Sequence, residues 1–328
     1  MTTIYRDNDA DLNALSGKTV AVVGYGNQGR SQALNLRDSG VSVVVGGLRD
    51  SSLSKAEADG FETLPVEEAA MKCQVLMLLV PDEVQREVYE QKIAPHLQEG
   101  DALVFAHGYN IRYGLITPAE GVDVVMVAPR MVGPKVRERF EAGSGSPAYV
   151  AVEQDASGSA WETTLALAKG IGATRAGAVR LTFAEETELD LFMEQGTWAA
   201  IFRVLSQSFE FLTEKGFDPT VVALELYGSG EGSEVMNLMR DVGFFKQLNL
   251  HSKTSQYGSL SRADRMIPAG FDEAMSQSLD EIRNGEFAKE WAKEQSSDYP
   301  NYKRLVELSA QHPINQADES LAALLGRE

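Results

Sequence analysis

The chain has 328 residues, with 48 acidic against 30 basic side chains, a net charge of −18 and 43% hydrophobic content. That length supports two domains with cores of their own, and the apolar share is that of an ordinary globular chain. The acidity excludes nucleic acid and anionic membrane as expected partners, and it obliges any anionic ligand to find a local cation. A lone cysteine, Cys73, excludes an internal disulfide and fits a reducing compartment; its neighbours Val75, Leu76 and Met77 describe a buried thiol rather than a nucleophile. The first residues lack the apolar stretch of a signal peptide and no apolar run reaches bilayer-spanning length, so the expected location is cytoplasmic.

In chain order, residues 18–23 (KTVAVV) form a β-branched strand that runs into Gly24-Tyr25-Gly26-Asn27-Gln28-Gly29. A helical pattern follows to Ser39-Gly40, then a second strand over 41–45. A G-x-G-x-x-G loop between strand and helix of a βαβ unit marks dinucleotide binding. The first glycine permits the turn, the second lets the backbone approach a pyrophosphate, and the third lets helix and strand pack closely, while the helix N-terminus faces the phosphates. Beyond the second strand stand Arg49, Ser51, Ser52 and Ser54. A guanidinium and hydroxyls suit the 2′-phosphate of NADPH, so NADPH is expected over NADH; Asp50 pulls the other way, by repelling that phosphate or pairing with Arg49. The plainer reading of this stretch is a polar loop capping a helix.

Apolar strands are expected at 75–80, 102–106, 122–128, 149–152 and 176–180, with helices at 81–89 and 157–169 between them. The result is an α/β, Rossmann-type, doubly wound and mostly parallel sheet, assigned to residues 1–182. Ligands of such sheets gather at the carboxyl ends of strands, where Pro81, Asp82, His107 and Arg130 stand. His107, directly after an apolar strand and before a glycine, points at the cofactor crevice. Gly133 completes the expected cofactor set.

From residue 183 strand patterning stops, and an all-α domain over 183–328 is expected, with helices at 187–215, 218–227, 235–242, 272–282 and 287–294. Asp218 followed by Pro219 reads as an N-cap and first helical position. On the long first helix Asp190 and Glu194 lie one turn apart among Leu189, Leu191, Phe192 and Met193. Two carboxylates on such a face call for a cation or a hydrogen-bond network, and a hard divalent ion such as Mg²⁺ is the functional reading. The plainer one is an acidic helix start complementing the macrodipole, which suits Glu185, Glu186 and Glu188.

The motifs GYGNQG, LRDSSLSKAEADG, VPDEVQREVY, FAHGYNI, VMVAPR, TFAEETELDLFMEQ, FEFLTEKGFDP and SKTSQYG run nearly end to end. Together they resemble the ketol-acid reductoisomerases, in their short form with a single knotted helical domain. The resemblance implies NADPH and Mg²⁺ as cofactors, a small keto or hydroxy acid as substrate, and a homodimer or larger assembly whose partner subunit supplies carboxylates. It implies that Asp190 bridges two metal ions, that Glu194 holds one, that Glu225 is a third metal-binding glutamate, and that Ser252 binds substrate carboxylate. His107 would stand behind the metals. Departures from the family pattern are Leu189 for Thr, Met193 for Gly, Arg130 for a lysine of the metal–water network, and Ser259-Leu260-Ser261-Arg262 for a Gly-Pro segment. The family's fourth glutamate falls in Gly228-Ser229-Gly230-Glu231-Gly232-Ser233, a stretch read as a rebuilt, helix-breaking loop. Allowing an insertion, Glu231 becomes its counterpart for metal and substrate, ahead of Glu234.

The resemblance and the departures together leave three activities open: the full isomerisation and reduction of acetolactate-type substrates to 2,3-dihydroxy acids, a diverged NADPH-dependent reductase of a 2-keto acid or related carbonyl or imine, and a non-catalytic cofactor-binding paralogue. Intact Asp190, Glu194 and His107 argue against the last.

Overall fold

A computed structural model describes residues 2–47 and 51–327, with only the backbone of Ser51 described. The chain divides into two compact units, residues 1–189 and 190–328.

The first unit is a nine-stranded sheet: β1 (Ile4–Tyr5), β2 (Thr19–Val23), β3 (Ser42–Gly47), β4 (Glu62–Pro65), β5 (Val75–Leu78), β6 (Ala102–Phe105), β7 (Asp123–Pro129), β8 (Ala148–Gln154) and β9 (Ala178–Arg180). Their order is β1-β9-β8-β7-β6-β5-β2-β3-β4, antiparallel at β1/β9 and β7/β8 and parallel elsewhere. Alternate residues of the central strands enter opposite cores. Val20 and Val22, Val75 and Met77, and Ala102 and Val104 face one layer. Ala21 and Val23, Leu76 and Leu78, and Leu103 and Phe105 face the other. Burial on both faces is why these strands read as unbroken apolar runs.

Two strands have no counterpart in the sequence reading. Neither β1 nor β4 carries an apolar run, and both are short edge strands held by their neighbours rather than by their own burial. The expected second strand extends to Gly47, and the helix expected from 157 begins at Ala160. The delay has a cause: the N–H of Ser157 and its hydroxyl both donate to buried Asp123, at 2.8 and 2.6 Å, which holds the turn before the helix. Helices of this unit used below are α1 (Asn27–Asp38), α2 (Ser51–Ala58), α3 (Asp82–Val88) and α4 (Gly133–Glu141). Cys73 is buried, and that burial pushes its thiol up to about 11, as expected of a structural cysteine.

α5 (Phe183–Phe192) opens with a capping box. The N–H of Thr182 donates to Glu185 at 2.8 Å, and the N–H of Glu185 to the Thr182 hydroxyl at 3.1 Å. This starts the helix at 183, ahead of the expected 187. The chain continues as helix through a wide π-type turn, Met193–Trp198, into α6 (Ala199–Glu214).

The second unit is helical throughout: α7 (Pro219–Ala223), α8 (Glu231–Val242), α9 (Lys253–Met266), α10 (Phe271–Arg283), α11 (Glu286–Ser296), α12 (Pro300–Ala310) and α13 (Ile314–Leu325). Asp218 caps α7 as expected, accepting from the N–H groups of Thr220 and Val221. The helices α9, α12 and α13 were absent from the sequence reading.

The glycine-rich stretch differs from expectation. Gly228 belongs to a wide helical turn, Leu224–Gly228, and a Cβ there would lie 2.4 Å from Leu321, so this glycine serves close packing against α13. Only Ser229 and Gly230, with φ +82°, break the helix, and α8 starts at Glu231 rather than at Val235. Glu231 is thus the first residue of a helix, where a carboxylate favours the macrodipole, and not part of a rebuilt loop.

Candidate active site

The carboxyl ends of β2, β5 and β6 meet in a cleft of about 460 Å³. Gly24, Tyr25, Gly26, Asn27 and Gln28 form one wall, Ser52 one end, and Pro81, Asp82, Gln85 and His107 the other side. The glycines are there for space. A Cβ on Gly24, whose φ is +98°, would meet Val80 at 2.8 Å, and one on Gly29 would meet the Gly24 carbonyl oxygen at 2.0 Å. One on Gly133 would meet the Asn27 carbonyl oxygen at 2.1 Å, so Gly133 lets α4 lie against the start of α1. Gly26, the residue before α1, has open space, as a backbone meant to approach a ligand requires. Gln28 donates to the Met131 carbonyl at 2.8 Å, tying the loop to the end of β7.

Of the other residues assigned to the cofactor, Tyr25 has a buried ring whose hydroxyl donates to Asp59 at 2.8 Å. Gly29, Gly133 and Ser54 do not line the cleft itself. Arg49 lies outside the described residues.

Next to the cleft is a connected polar group. Asp82 Oδ2 lies 2.7 Å from His107 Nδ1, and the Asp82 carboxylate also accepts from Gln85 at 3.0 Å. Asn110 supports both, donating to the Asp82 carbonyl at 3.1 Å and to Gln85 Oε1 at 3.0 Å. A carboxylate on Nδ1 holds the proton there, which directs Nε2 away from Asp82.

On the far side of the imidazole is Glu186, fully buried, with Oε2 4.0 Å from His107 Nε2. Glu186 Oε2 accepts the Gly108 N–H at 2.8 Å, and Oε1 accepts from Arg130 at 3.3 Å. Arg130 also lies over the Tyr149 ring, its guanidinium carbon 5.0 Å from the centroid. Gly108 is needed because a Cβ would meet Thr187 Oγ1 at 2.5 Å and the Phe183 carbonyl at 2.6 Å, keeping α5 off this loop.

His107, Glu186 and Asp190 each offer one ligand atom, all within 4.8 Å of one another. One imidazole and two carboxylates, rich in oxygen, suit a hard divalent ion, and Mg²⁺ fits the set. Asp190 is half-buried one turn beyond Glu186, and Glu186 itself holds the Gly108 N–H and the Arg130 guanidinium.

Among the described residues no such group includes Glu194, Glu225 or Glu231, all of which are exposed. Ser252, likewise exposed, caps α9 by accepting from the Ser255 N–H at 3.2 Å.

Glu186 is the residue that sequence reasoning missed. The macrodipole reading takes it together with Glu185 and Glu188. That reading suits Glu185, which caps the helix, but Glu188 pairs with Arg112 at 3.2 Å. A signal was present: 186, 190 and 194 recur every four residues and share one helical face.

With this geometry in place, likeness to known proteins is informative. Residues 14–177 match the family model of the acetohydroxy acid isomeroreductase NADPH-binding domain, and residues 183–326 match that of the ketol-acid reductoisomerase C-terminal domain. The chain belongs to the ketol-acid reductoisomerase family. It is 47% identical over 328 residues to a ketol-acid reductoisomerase (NADP(+)) of Pyrobaculum neutrophilum, covering 99% of both chains. It is 46% identical to one from Tropheryma whipplei, covering 98% of this chain and 97% of the relative. Its structure superposes with TM-score 0.94 on an NADH-preferring ketol-acid reductoisomerase from an uncultured archean, 38% identical, covering 98% of this chain and 99% of the other. A semialdehyde dehydrogenase NAD-binding protein from Cupriavidus necator, 17% identical with TM-score 0.62, shares the fold alone. Ketol-acid reductoisomerases are NAD(P)H-dependent oxidoreductases, and the full-length likeness favours that activity over the reductase-only and non-catalytic readings.

Proposed function

We infer that this protein is a ketol-acid reductoisomerase that converts acetolactate-type 2-hydroxy-ketones to 2,3-dihydroxy acids, using NADPH and Mg²⁺ in the cytoplasm. The carrying observation is His107, which lines the dinucleotide cleft and also belongs to the cluster with Glu186 and Asp190. Chemistry needing a nicotinamide and a metal ion at one substrate requires that the two sites adjoin, and His107 stands in both.

The backbone of residues 24–29, at the start of α1, would hold the pyrophosphate. Asp190, beside His107 and Glu186, would hold Mg²⁺, and Glu194, further along the same run of helix, is proposed as a second carboxylate for it on the family resemblance alone. When bound, NADPH supplies the hydride and Mg²⁺ polarises the adjacent substrate oxygens. Asp82 keeps the proton of His107 on Nδ1, and Glu186 anchors the Arg130 guanidinium and the Gly108 N–H around the same point. Arginine at 130 supplies a permanent charge and does not give up a proton at neutral pH.

The assembly we propose is a homodimer or larger, with Glu225, Glu231 and Ser252 of one copy serving the site of another. The helical unit supports this by its need for a cover. Its hydrophobic cluster holds five buried residues, Phe209, Val222, Ala223, Ala317 and Leu321. Meanwhile Phe202, Phe245, Tyr257 and Met266 are 65%, 68%, 69% and 73% exposed. Light scattering should report a multiple of the 35.7 kDa chain. A monodisperse, active monomer would end that part of the reading.

The activity is tested with acetolactate, Mg²⁺ and NADPH, and separately with 3-hydroxy-3-methyl-2-oxobutyrate. Turnover of both is expected; turnover of the second alone would show a reductase without isomerisation. Asp190→Asn should abolish Mg²⁺-dependent turnover and spare NADPH affinity, and equal loss of both would refute its assignment.

A further inference from the structure

Behind the cleft, on the face carrying α1 and α2, Tyr25 of the glycine loop meets two polar residues, Arg30 and Asp59, that none of the assigned roles uses. Tyr25, within the glycine loop, sends its buried ring down against Phe61, centroids 5.8 Å apart, and its hydroxyl donates to Asp59 Oδ2 at 2.8 Å. Arg30, one turn into α1, holds the same carboxylate at both oxygens, Nε to Oδ2 at 2.7 Å and an Nη to Oδ1 at 3.0 Å. Asp59 directly follows α2, its own N–H donating to the Lys55 carbonyl at 2.9 Å, and its carbonyl accepts from Arg37 at 2.6 Å. One residue thus ties the glycine loop, both ends of α1 and the end of α2.

An exposed ion pair is worth little. This one differs, because its carboxylate takes a two-pronged guanidinium and a phenol whose ring is 4% exposed. The starts of both tied helices border the cleft, through Asn27 on α1 and Ser52 on α2. The distance between those starts sets the width of the crevice at its Ser52 end, where the adenosine ribose of a dinucleotide lies in a sheet of this topology.

We propose that Asp59 is a positioning residue for the cofactor, fixing α2 against α1 through Tyr25 and Arg30 so that the crevice holds the 2′-phosphate end of NADPH. The proposal rests on the dinucleotide reading of the cleft.

The test uses the full-length protein and its Asp59→Asn and Arg30→Lys variants, titrated with NADPH and with NADH by nucleotide fluorescence, with kcat measured at saturating NADPH. Asp59→Asn should weaken NADPH about tenfold, the scale of one lost charge-assisted hydrogen bond, and NADH less than about threefold. kcat at saturation should stay within about twofold. Arg30→Lys keeps the charge without the fork, so it should fall between wild type and Asp59→Asn. Equal weakening of both nucleotides would make the node a general prop of the domain and overturn the proposal. So would unchanged affinities in wild type and variants. If Asp59→Asn does not fold, the NADPH-to-NADH ratio of Arg30→Lys decides alone. A wild-type protein that binds neither nucleotide would instead sink the dinucleotide reading itself.

Discussion

The buried pair of Glu186 and Arg130 can be tested by breaking it from either side. At 3.3 Å, with the effective dielectric of about 20 that suits protein sites, the gross attraction is about 5 kcal/mol. Glu186 is fully buried while Arg130 is 29% exposed, so the desolvation offset falls mostly on the carboxylate. Glu186→Gln keeps an acceptor for the Gly108 N–H and removes the charge, and water reaching Arg130 softens the loss to about 2–3 kcal/mol. For a unit of this size that is a drop in Tm of roughly 5–10 °C. Arg130→Met strands a buried carboxylate and should cost more, about 3–5 kcal/mol. The double variant also removes the stranded charge and should be no worse than Arg130→Met, giving a coupling of at least about 2 kcal/mol in chemical denaturation with all four proteins. Losses that add within about 0.5 kcal/mol would show that the two residues do not stabilise one another, and the account of Glu186 as an anchored base of the site would be wrong.

Further outcomes follow from single distances. Gly133→Ala would place a Cβ 2.1 Å from the Asn27 carbonyl oxygen, pushing α4 off the start of α1; NADPH binding should fall at least tenfold by fluorescence titration, and normal binding would refute the packing argument. Mg²⁺ should raise the Tm of the wild type in a concentration-dependent way and leave Asp190→Asn unmoved, whereas an equal rise in both would place the ion elsewhere. The Asp59 carboxyl is held at about 2, below its ordinary 3.8, chiefly by the Arg30 hydrogen bonds. A carboxyl depressed in the folded state contributes stability that is complete above 3.8 and drains away as pH falls toward 2. The stability gap between wild type and Asp59→Asn, read by acid unfolding, should therefore close across that window, and a constant gap would refute the linkage.

What the amino-acid sequence determined alone was everything written in local repetition. Alternating cores gave β2, β5, β6 and β7 their unbroken apolar runs, the glycine hexapeptide placed the cleft, and Asp218-Pro219 placed a helix start. The edge strands β1 and β4 escaped because their partners, not their composition, make them strands. The helix α9 escaped because its apolar residues, Tyr257, Leu260 and Met266, are sparse and none is buried. The helix α12 does carry an apolar stripe, Tyr302, Leu305 and Val306 at helical spacing, which the sequence reading passed over and which the chain leaves exposed. Likewise the glycines near 230 carried no local mark to separate the one that packs on Leu321 from the one that breaks the helix. Tertiary structure decided the chemistry around Glu186. Its sequence neighbours are other acids and look alike, but only one of them is folded into a place without water, where a backbone N–H and a guanidinium must answer its charge. Local pattern records which face a residue takes, and long-range packing alone sets what meets it there.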